Sequence, residues 1–320
     1  MQILRTVLFI LCLPISLADA QENESQALKL IEMKDYTGAR KLLEMIVNRD
    51  KQNAEAHFRL GVLLINQFRD YDAAEERLER AVELADNNAE YHFVLGRLYG
   101  IQAQVSGIFS KLSYAGKAKS EFIRAVELMP QSLPYRFALM NYYLQAPGIA
   151  GGSVAKAEEQ ATVILGIDAS EGHIARAQIA AYDKDDPAVE KHYRDAIAAN
   201  PGKGRAHNLL GYFYLRQRRV DDAIAQFRLC LELEPNDPNS YDSLAEGLLE
   251  RGTIEEALEH YTKALSLNSE FAPSVYGKAR CLEAKGMKSE ALTDYRRYLS
   301  LNPLGGNAET AKRKVKELAE

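Results

Sequence analysis

The feature that most constrains this chain is a repeat. From Lys203 to Asn302 one pattern returns every 34 residues. Ala223, Ala257 and Ala291 form one column; Phe227, Tyr261 and Tyr295 form a second; Cys230, Ala264 and Tyr298 form a third. Pro201 and Pro235 open a fourth, which Ser269 interrupts and Pro303 resumes. Small or apolar residues at i, i+4 and i+7, as in Ala223, Phe227 and Cys230, mark one face of a helix. Alanine lets two helices approach closely, and the aromatic residue fills the groove beside it. Proline past the end blocks continuation. Gly252 and Gly286 fall at the turn between two helices, where a positive φ is needed. One such hairpin cannot bury its apolar face alone, so neighbours must stack. The expected fold is all-α, an α-solenoid (superhelix) of helix-turn-helix units.

The stretch HNLLGYFYLRQRRVDDAIAQFRLCLELEP closely resembles the signature of the tetratricopeptide repeat family, W-x2-L-G-x2-Y followed by A-x3-F and P. His207 stands where tryptophan is usual; Leu210, Gly211, Tyr214, Ala223, Phe227 and Pro235 fill the other positions. HFRLGVLL with Ala74, Leu78 and Ala81 is a second match, and HFVLGRLY with Ala118, Phe122, Ala125 and Pro130 a third. About eight repeats follow, beginning near Ala20, Ala54, Ala89, Leu133, Ser170, Gly204, Pro238 and Ala272, with a charged capping helix at 306–320. Two departures interrupt the register. About ten extra residues lie between Gly96 and Ala118, lengthening the hairpin or protruding as a loop, and about five lie in YYLQAPGIAGGSVAKA. The APGIAGGS text is similar to a loop of some bacterial secreted repeat proteins. The expected organisation is a signal peptide at 1–20, an N-terminal sub-array at 21–145 with its insertion at 97–117, a Gly-rich insertion and connecting helix at 146–169, and a C-terminal sub-array at 170–305.

The signal peptide rests on Arg5, the apolar stretch Thr6 to Leu13, Pro14, and the small-x-small run Ala18-Asp19-Ala20. The apolar stretch is shorter than the ~20 residues a membrane-spanning helix needs, although an uncleaved anchor is the competing reading. Cys12 follows Ile10-Leu11, where a lipobox would place small residues, so lipidation is not expected. A periplasmic or secreted chain follows, with no membrane span after cleavage. Only Cys230 and Cys281 then remain, as buried free thiols, since stacked helices hold them beyond the ~7 Å Cα separation a disulfide tolerates. The net charge is -5 with no long basic run, which removes electrostatic support for nucleic-acid binding.

The 6 histidines are the first candidates for chemistry. His57, His92, His173 and His207 share the fourth position of a repeat, while His192 and His260 each precede a second-helix tyrosine. Register accounts for all of them, and a metal site would need ligands converging from several repeats. Gly148 to Ser153 could present N–H groups to an anion, but it lacks the Gly-Lys-Ser/Thr of a P-loop and reads as a turn with Ser153 as helix cap. The pairs Glu75-Glu76, Glu158-Glu159 and Glu255-Glu256 are read as second-helix starts that complement the helix dipole. No catalytic residue, cofactor or metal is expected.

The resemblance implies that the first helix of each hairpin lines a concave groove with positions 2, 5, 9, 12 and 13. The partner-binding candidates on that face are Phe58, Phe93, Phe137, Asn141, Gln178, Tyr182, Arg205, Asn208, Tyr212, Arg216, Asp242 and Glu246. Phe58, Phe93 and Phe137 read either as an exposed apolar stripe or as the seat of the insertion. Asn208 and Tyr212 stand where the family's carboxylate clamp has lysine and asparagine, which puts recognition of an acidic chaperone tail in doubt. The function expected is a non-catalytic scaffold for an extended peptide or an envelope protein. The alternatives are a hydrolase or metal-dependent enzyme centred on 145–175, and a self-assembling adaptor.

Overall fold

The structure, a computed structural model, describes residues 17–319, apart from the side chains of residues 17–22, 108 and 109. Most of the expected signal segment, including Arg5, Thr6 to Leu13 and Cys12, lies outside the described residues. No described helix is long and apolar enough to cross a membrane.

Among the described residues there are seventeen α-helices and no strand. Seven antiparallel hairpins are packed along the chain. In the N-terminal half they are α1 (Leu17–Glu32) with α2 (Tyr36–Arg49), α3 (Ala54–Leu63) with α4 (Tyr71–Leu84), and α5 (Ala89–Val105) with α6 (Ile108–Leu128), followed in sequence by α7 (Leu133–Gln145) and α8 (Val154–Ile167). Then come α9 (Ala169–Tyr182) with α10 (Asp186–Ala199), α11 (Gly204–Arg216) with α12 (Val220–Leu233), α13 (Pro238–Arg251) with α14 (Ile254–Leu267), and α15 (Ala272–Ala284) with α16 (Lys288–Leu301). The amphipathic α17 (Ala308–Ala319) closes the series, packing Ala311, Val315 and Leu318 into the apolar cluster that holds Tyr295 and Tyr298. The chain forms two compact units that divide between Gln160 and Ala161, inside α8, and within each unit successive hairpins stack.

The repeat columns are the core. Ala223, Phe227 and Cys230 are fully buried, as are Ala257 and Ala264, with Tyr261, Tyr295 and Tyr298 nearly so. Each such aromatic side chain removes enough apolar surface from water to contribute about 1.5–3 kcal/mol. The aromatic ring needs a bare backbone opposite it. A Cβ on Gly211 would stand 2.4 Å from the Phe227 ring, and one on Gly96 would stand 2.9 Å from Phe122. Glycine on the first helix is therefore fixed by the size of the residue on the second.

Turn geometry repeats with the same period. Lys184, Arg218, Gly252 and Gly286 all have a positive φ, and Lys34 and Arg69 do the same in the earlier hairpins. Left-handed backbone costs a non-glycine residue roughly 1–2 kcal/mol, so four of these turns are held against local preference by the packing around them. The period itself slips once by a single residue. The hairpin starts Ala54 and Ala89 are one residue further apart than the period, and α3 ends in a single π turn, Leu64–Phe68, that absorbs the surplus.

The 97–117 insertion is helix rather than loop. It extends α5 to 17 residues and α6 to 21, where the regular α11 and α12 have 13 and 14. The second insertion is a short 3-10 turn, Gly148–Ala150, followed by Gly151 at φ 93.

Candidate functional site

The two insertions meet in the N-terminal unit. Ala150 of the Gly-rich turn packs with Ala103 of α5 and Ala115 of α6, and Leu112, Tyr114, Tyr142 and Ala146 close around them. The Tyr142 hydroxyl donates to the Ala150 carbonyl at 2.6 Å, which fastens the turn to α7. Every N–H from Ala150 to Ser153 is used internally. Ala150 and Gly152 donate to the Pro147 carbonyl, Gly151 to Gly148 and Ser153 to Tyr143. Those four N–H groups are therefore not available to an anion, and Ser153 Oγ accepts from the Lys156 N–H as the cap of α8. Gly152 admits no side chain, since a Cβ there would stand 1.8 Å from the Ala146 carbonyl oxygen.

Beside this junction lies an open cleft of about 410 Å³ between the lengthened hairpin and α7. Its walls are apolar, with Ile101, Leu112, Phe122 and Tyr142, and Asn141, Gln104 and Gln145 supply amides. Among the described residues, Arg97 and Lys111 are its charged lining and no acidic residue lines it. The hairpin is braced from behind by Glu75 of α4. Its carboxylate accepts from Gln102 Nε2 at 2.7 Å, Lys117 Nζ at 2.9 Å and the Tyr114 hydroxyl at 3.3 Å. Burial opposes its ionisation, but these donors outweigh it and hold the carboxyl below its ordinary range.

The first-helix residues expected to line a groove are distributed differently. Phe58 is buried and stacks on Tyr91 at 4.5 Å, so the exposed phenylalanine stripe does not form there. Phe93 is half-buried between Tyr135 and Phe122, and Phe137 is also half-buried. The Phe58 and Phe93 rings join repeats to one another. Asn141 lines the cleft. In the C-terminal unit most of the candidates form a polar ladder from one first helix to the next. Glu171 is buried and accepts from Lys203 at 2.5 Å and Arg205 at 2.8 Å. The Ser243 hydroxyl meets Asn208 at 3.3 Å and Tyr212 at 3.1 Å, and Tyr212 packs edge-on against Phe227. Burial pushes the Tyr212 phenol up to about 12. Glu246 accepts from Arg280 at 2.8 Å and from Tyr261 at 2.6 Å. Asp242, expected on an open face, is buried instead and accepts from Ser274 at 2.6 Å. Desolvation pushes its carboxyl up to about 7. Gln178 is half-buried, while Tyr182 and Arg216 are exposed.

The histidines do not share one environment. His92 bridges Glu121 at 2.6 Å and the Asp86 carbonyl at 2.8 Å. Burial disfavours its charged form, yet these hydrogen bonds raise its pKa. His207 bonds Gln226 at 2.8 Å. His57 is buried with both ring nitrogens lacking a hydrogen-bond partner, and burial lowers its pKa. His173 on α9 faces His192 and Asp195 on α10, within a single hairpin rather than across several repeats. Cys230 and Cys281 are buried free thiols, and burial pushes Cys281 up to about 11. Of the glutamate pairs only Glu255-Glu256 stands in a first helical turn; Glu75 and Glu158 come a turn later.

Tetratricopeptide repeat models match residues 30–98 and residues 190–238 and 243–305, together more than half of the chain. The chain belongs to the tetratricopeptide repeat family. No curated protein matches it. Among solved structures it is similar to yeast Tom70, at 15% identity and a TM-score of 0.71 over 95% of this chain and 65% of that one. It is also similar to a tetratricopeptide repeat protein from Parabacteroides merdae, at 14% identity and a TM-score of 0.51 over 95% of this chain and all of that one. The APC/C hetero-tetramer Cut9-Hcn1 matches at 15% identity and a TM-score of 0.50, over 96% of this chain and 57% of that one. The chain thus spans under two thirds of Tom70 and of the Cut9-Hcn1 chain. At these identities the likeness is one of fold.

Residues 99–189, between the matched segments, carry most of the cleft and both interruptions of the tetratricopeptide register. Each interruption is visible in the sequence, but their meeting is not. The available signal was the alanine spacing of the lengthened hairpin, Ala103, Ala115 and Ala118, which marks a face of close helix approach.

Proposed function

We propose that this chain is a non-catalytic interaction scaffold that binds an extended peptide, or an extended segment of an envelope protein, along its first-helix faces, anchored in the N-terminal cleft. Tetratricopeptide repeats commonly mediate protein–protein interactions, which supports the general reading. The observation that carries the specific one is the convergence of both insertions on an apolar cleft of about 410 Å³ on the face of α7 that holds Asn141. Such a cleft takes a large apolar side chain. Arg97 and Lys111, with no acid in the lining, favour a carboxylate beside it. Gly100 gives a clean test, because it lines the cleft and a Cβ there meets nothing within 4 Å. Gly100→Phe should fill the cleft without straining the backbone. Panning a random-peptide display library should enrich an apolar residue next to Asp or Glu on the wild type and not on Gly100→Phe. No enrichment, or the same enrichment on both, would refute the proposal.

The proposed setting is the bacterial envelope, supported by Arg5, the apolar stretch Thr6 to Leu13 and Ala18-Asp19-Ala20. N-terminal sequencing of exported protein should find a mature chain beginning near Gln21; an intact Met1 on exported material would contradict cleavage.

A further inference from the structure

We propose that His173, His192 and Asp195 form a binding site for one transition-metal dication, with Zn²⁺ the best fit. This goes beyond peptide binding, lies in the C-terminal unit and uses none of the cleft's residues.

Three observations carry it. First, the three side chains converge: their donor atoms all lie within 4.8 Å of one another. His173 Nδ1 stands 3.9 Å from Asp195 Oδ2, and His192 Nδ1 stands 3.8 Å from the same oxygen. Second, the two imidazole nitrogens are buried and have no hydrogen-bond partner. Separations of 3.8 and 3.9 Å are too long for hydrogen bonds, so Asp195 satisfies neither Nδ1. Third, the fold holds the donors in place. His192 and Asp195 are three residues apart on one face of α10, and the His173 ring lies across from His192 on α9 with centroids 6.1 Å apart and planes within 28°.

A dication equidistant from the three atoms would stand at most about 2.5 Å from each, within about half an ångström of a Zn–N or Zn–O bond, a gap that small side-chain rotations close. Two imidazoles and one carboxylate suit zinc, nickel or copper, whereas calcium and magnesium prefer all-oxygen sites. Three protein ligands leave a fourth position for water or for a group brought by a partner. Lys191 is the competitor: its ammonium lies 2.7 Å from Asp195 Oδ2, but the side chain is 69% exposed and free to swing into solvent.

The test uses the full chain without an affinity tag, stripped with chelator and titrated with ZnCl₂ in a calorimeter. One site tighter than about 10 μM is expected, with binding weakened about tenfold or more in His173→Ala and in His192→Ala. Lys191→Ala should bind zinc more tightly, which keeps the proposal falsifiable if a histidine variant misfolds. His260→Ala should leave binding unchanged, excess Mg²⁺ should not displace zinc, and Co²⁺ should give the visible absorption of a tetrahedral site. Absence of saturable uptake, or uptake that survives the double substitution of His173 and His192 in a folded chain, overturns the site.

Discussion

Two glycine-to-alanine substitutions, chemically identical, should move stability in opposite directions. At Gly211 a new Cβ would lie 2.4 Å from Phe227 Cε1, 2.7 Å from Cδ1 and 2.9 Å from Cζ. Comfortable carbon–carbon contact is about 3.5–4.0 Å, so the ring must retreat by about 1 Å. It has nowhere to go. Phe227 is fully buried, Tyr212 packs against one edge at 5.0 Å, and on its far side a Cβ on Gly247 would already stand 3.2 Å away. Overpacking of this kind costs about 1–3 kcal/mol, while replacing a helical glycine by alanine returns about 0.5–1 kcal/mol. Gly211→Ala should therefore lose about 1–2 kcal/mol. Gly100 is also mid-helix but a Cβ there touches nothing, so Gly100→Ala should gain about 0.5–1 kcal/mol. Repeat arrays need not unfold in one step, so the readout is amide hydrogen exchange by mass spectrometry, taken separately over α11–α12 and α5–α6. Faster exchange in Gly211→Ala and slower in Gly100→Ala is expected. A neutral or stabilising Gly211→Ala would show that the glycine is not dictated by the aromatic ring.

Asp242 should make the C-terminal unit pH-sensitive. Burial raises its pKa to about 7 in the folded chain, so its contribution is full below about pH 4 and is lost as pH rises to about 7. Asp242→Asn keeps the acceptor for Ser274 and should flatten that loss, gaining about 2–4 kcal/mol at pH 8, read by urea denaturation at several pH values; parallel wild-type and variant profiles would contradict it. Glu75→Ala should loosen the lengthened hairpin, because it strips the partner from the buried Gln102 amide at a cost of about 1–3 kcal/mol. Faster hydrogen exchange confined to α5 and α6 is the expected sign, and unchanged exchange there would exclude the brace.

Much of the fold was legible because alanine and aromatic residues recur at fixed positions, and those columns are the buried core. Gly252 and Gly286 announced their left-handed turns because glycine is the residue that conformation favours. Lys34, Arg69, Lys184 and Arg218 occupy the equivalent turns silently, since there tertiary packing overrides local preference. The candidate site was less legible for a similar reason. Register says which face of a helix a residue occupies, not whether the next helix supplies a partner. Asn208, Asp242 and Glu246 read as groove residues, yet Ser243, Ser274 and Arg280 meet them from the following repeat. His173 read as an aromatic substitute in its repeat, and only the pairing of α9 with α10 brings it to His192 and Asp195. The cleft arises from two insertions some forty residues apart, a long-range contact that no local pattern encodes.

The central claim is that recognition is anchored in the N-terminal cleft. The most direct measurement is the affinity of a display-selected peptide for three forms of the full chain: wild type, Gly100→Phe and Arg216→Ala. Arg216 is an exposed first-helix residue of the C-terminal unit, whereas Asn208 and Tyr212 are tied to Ser243 and would confound the comparison. Gly100→Phe should weaken binding by about tenfold or more, since a filled pocket loses the anchor side chain, and Arg216→Ala should weaken it far less. Full affinity in Gly100→Phe with loss in Arg216→Ala would move the binding site out of the cleft and contradict the account.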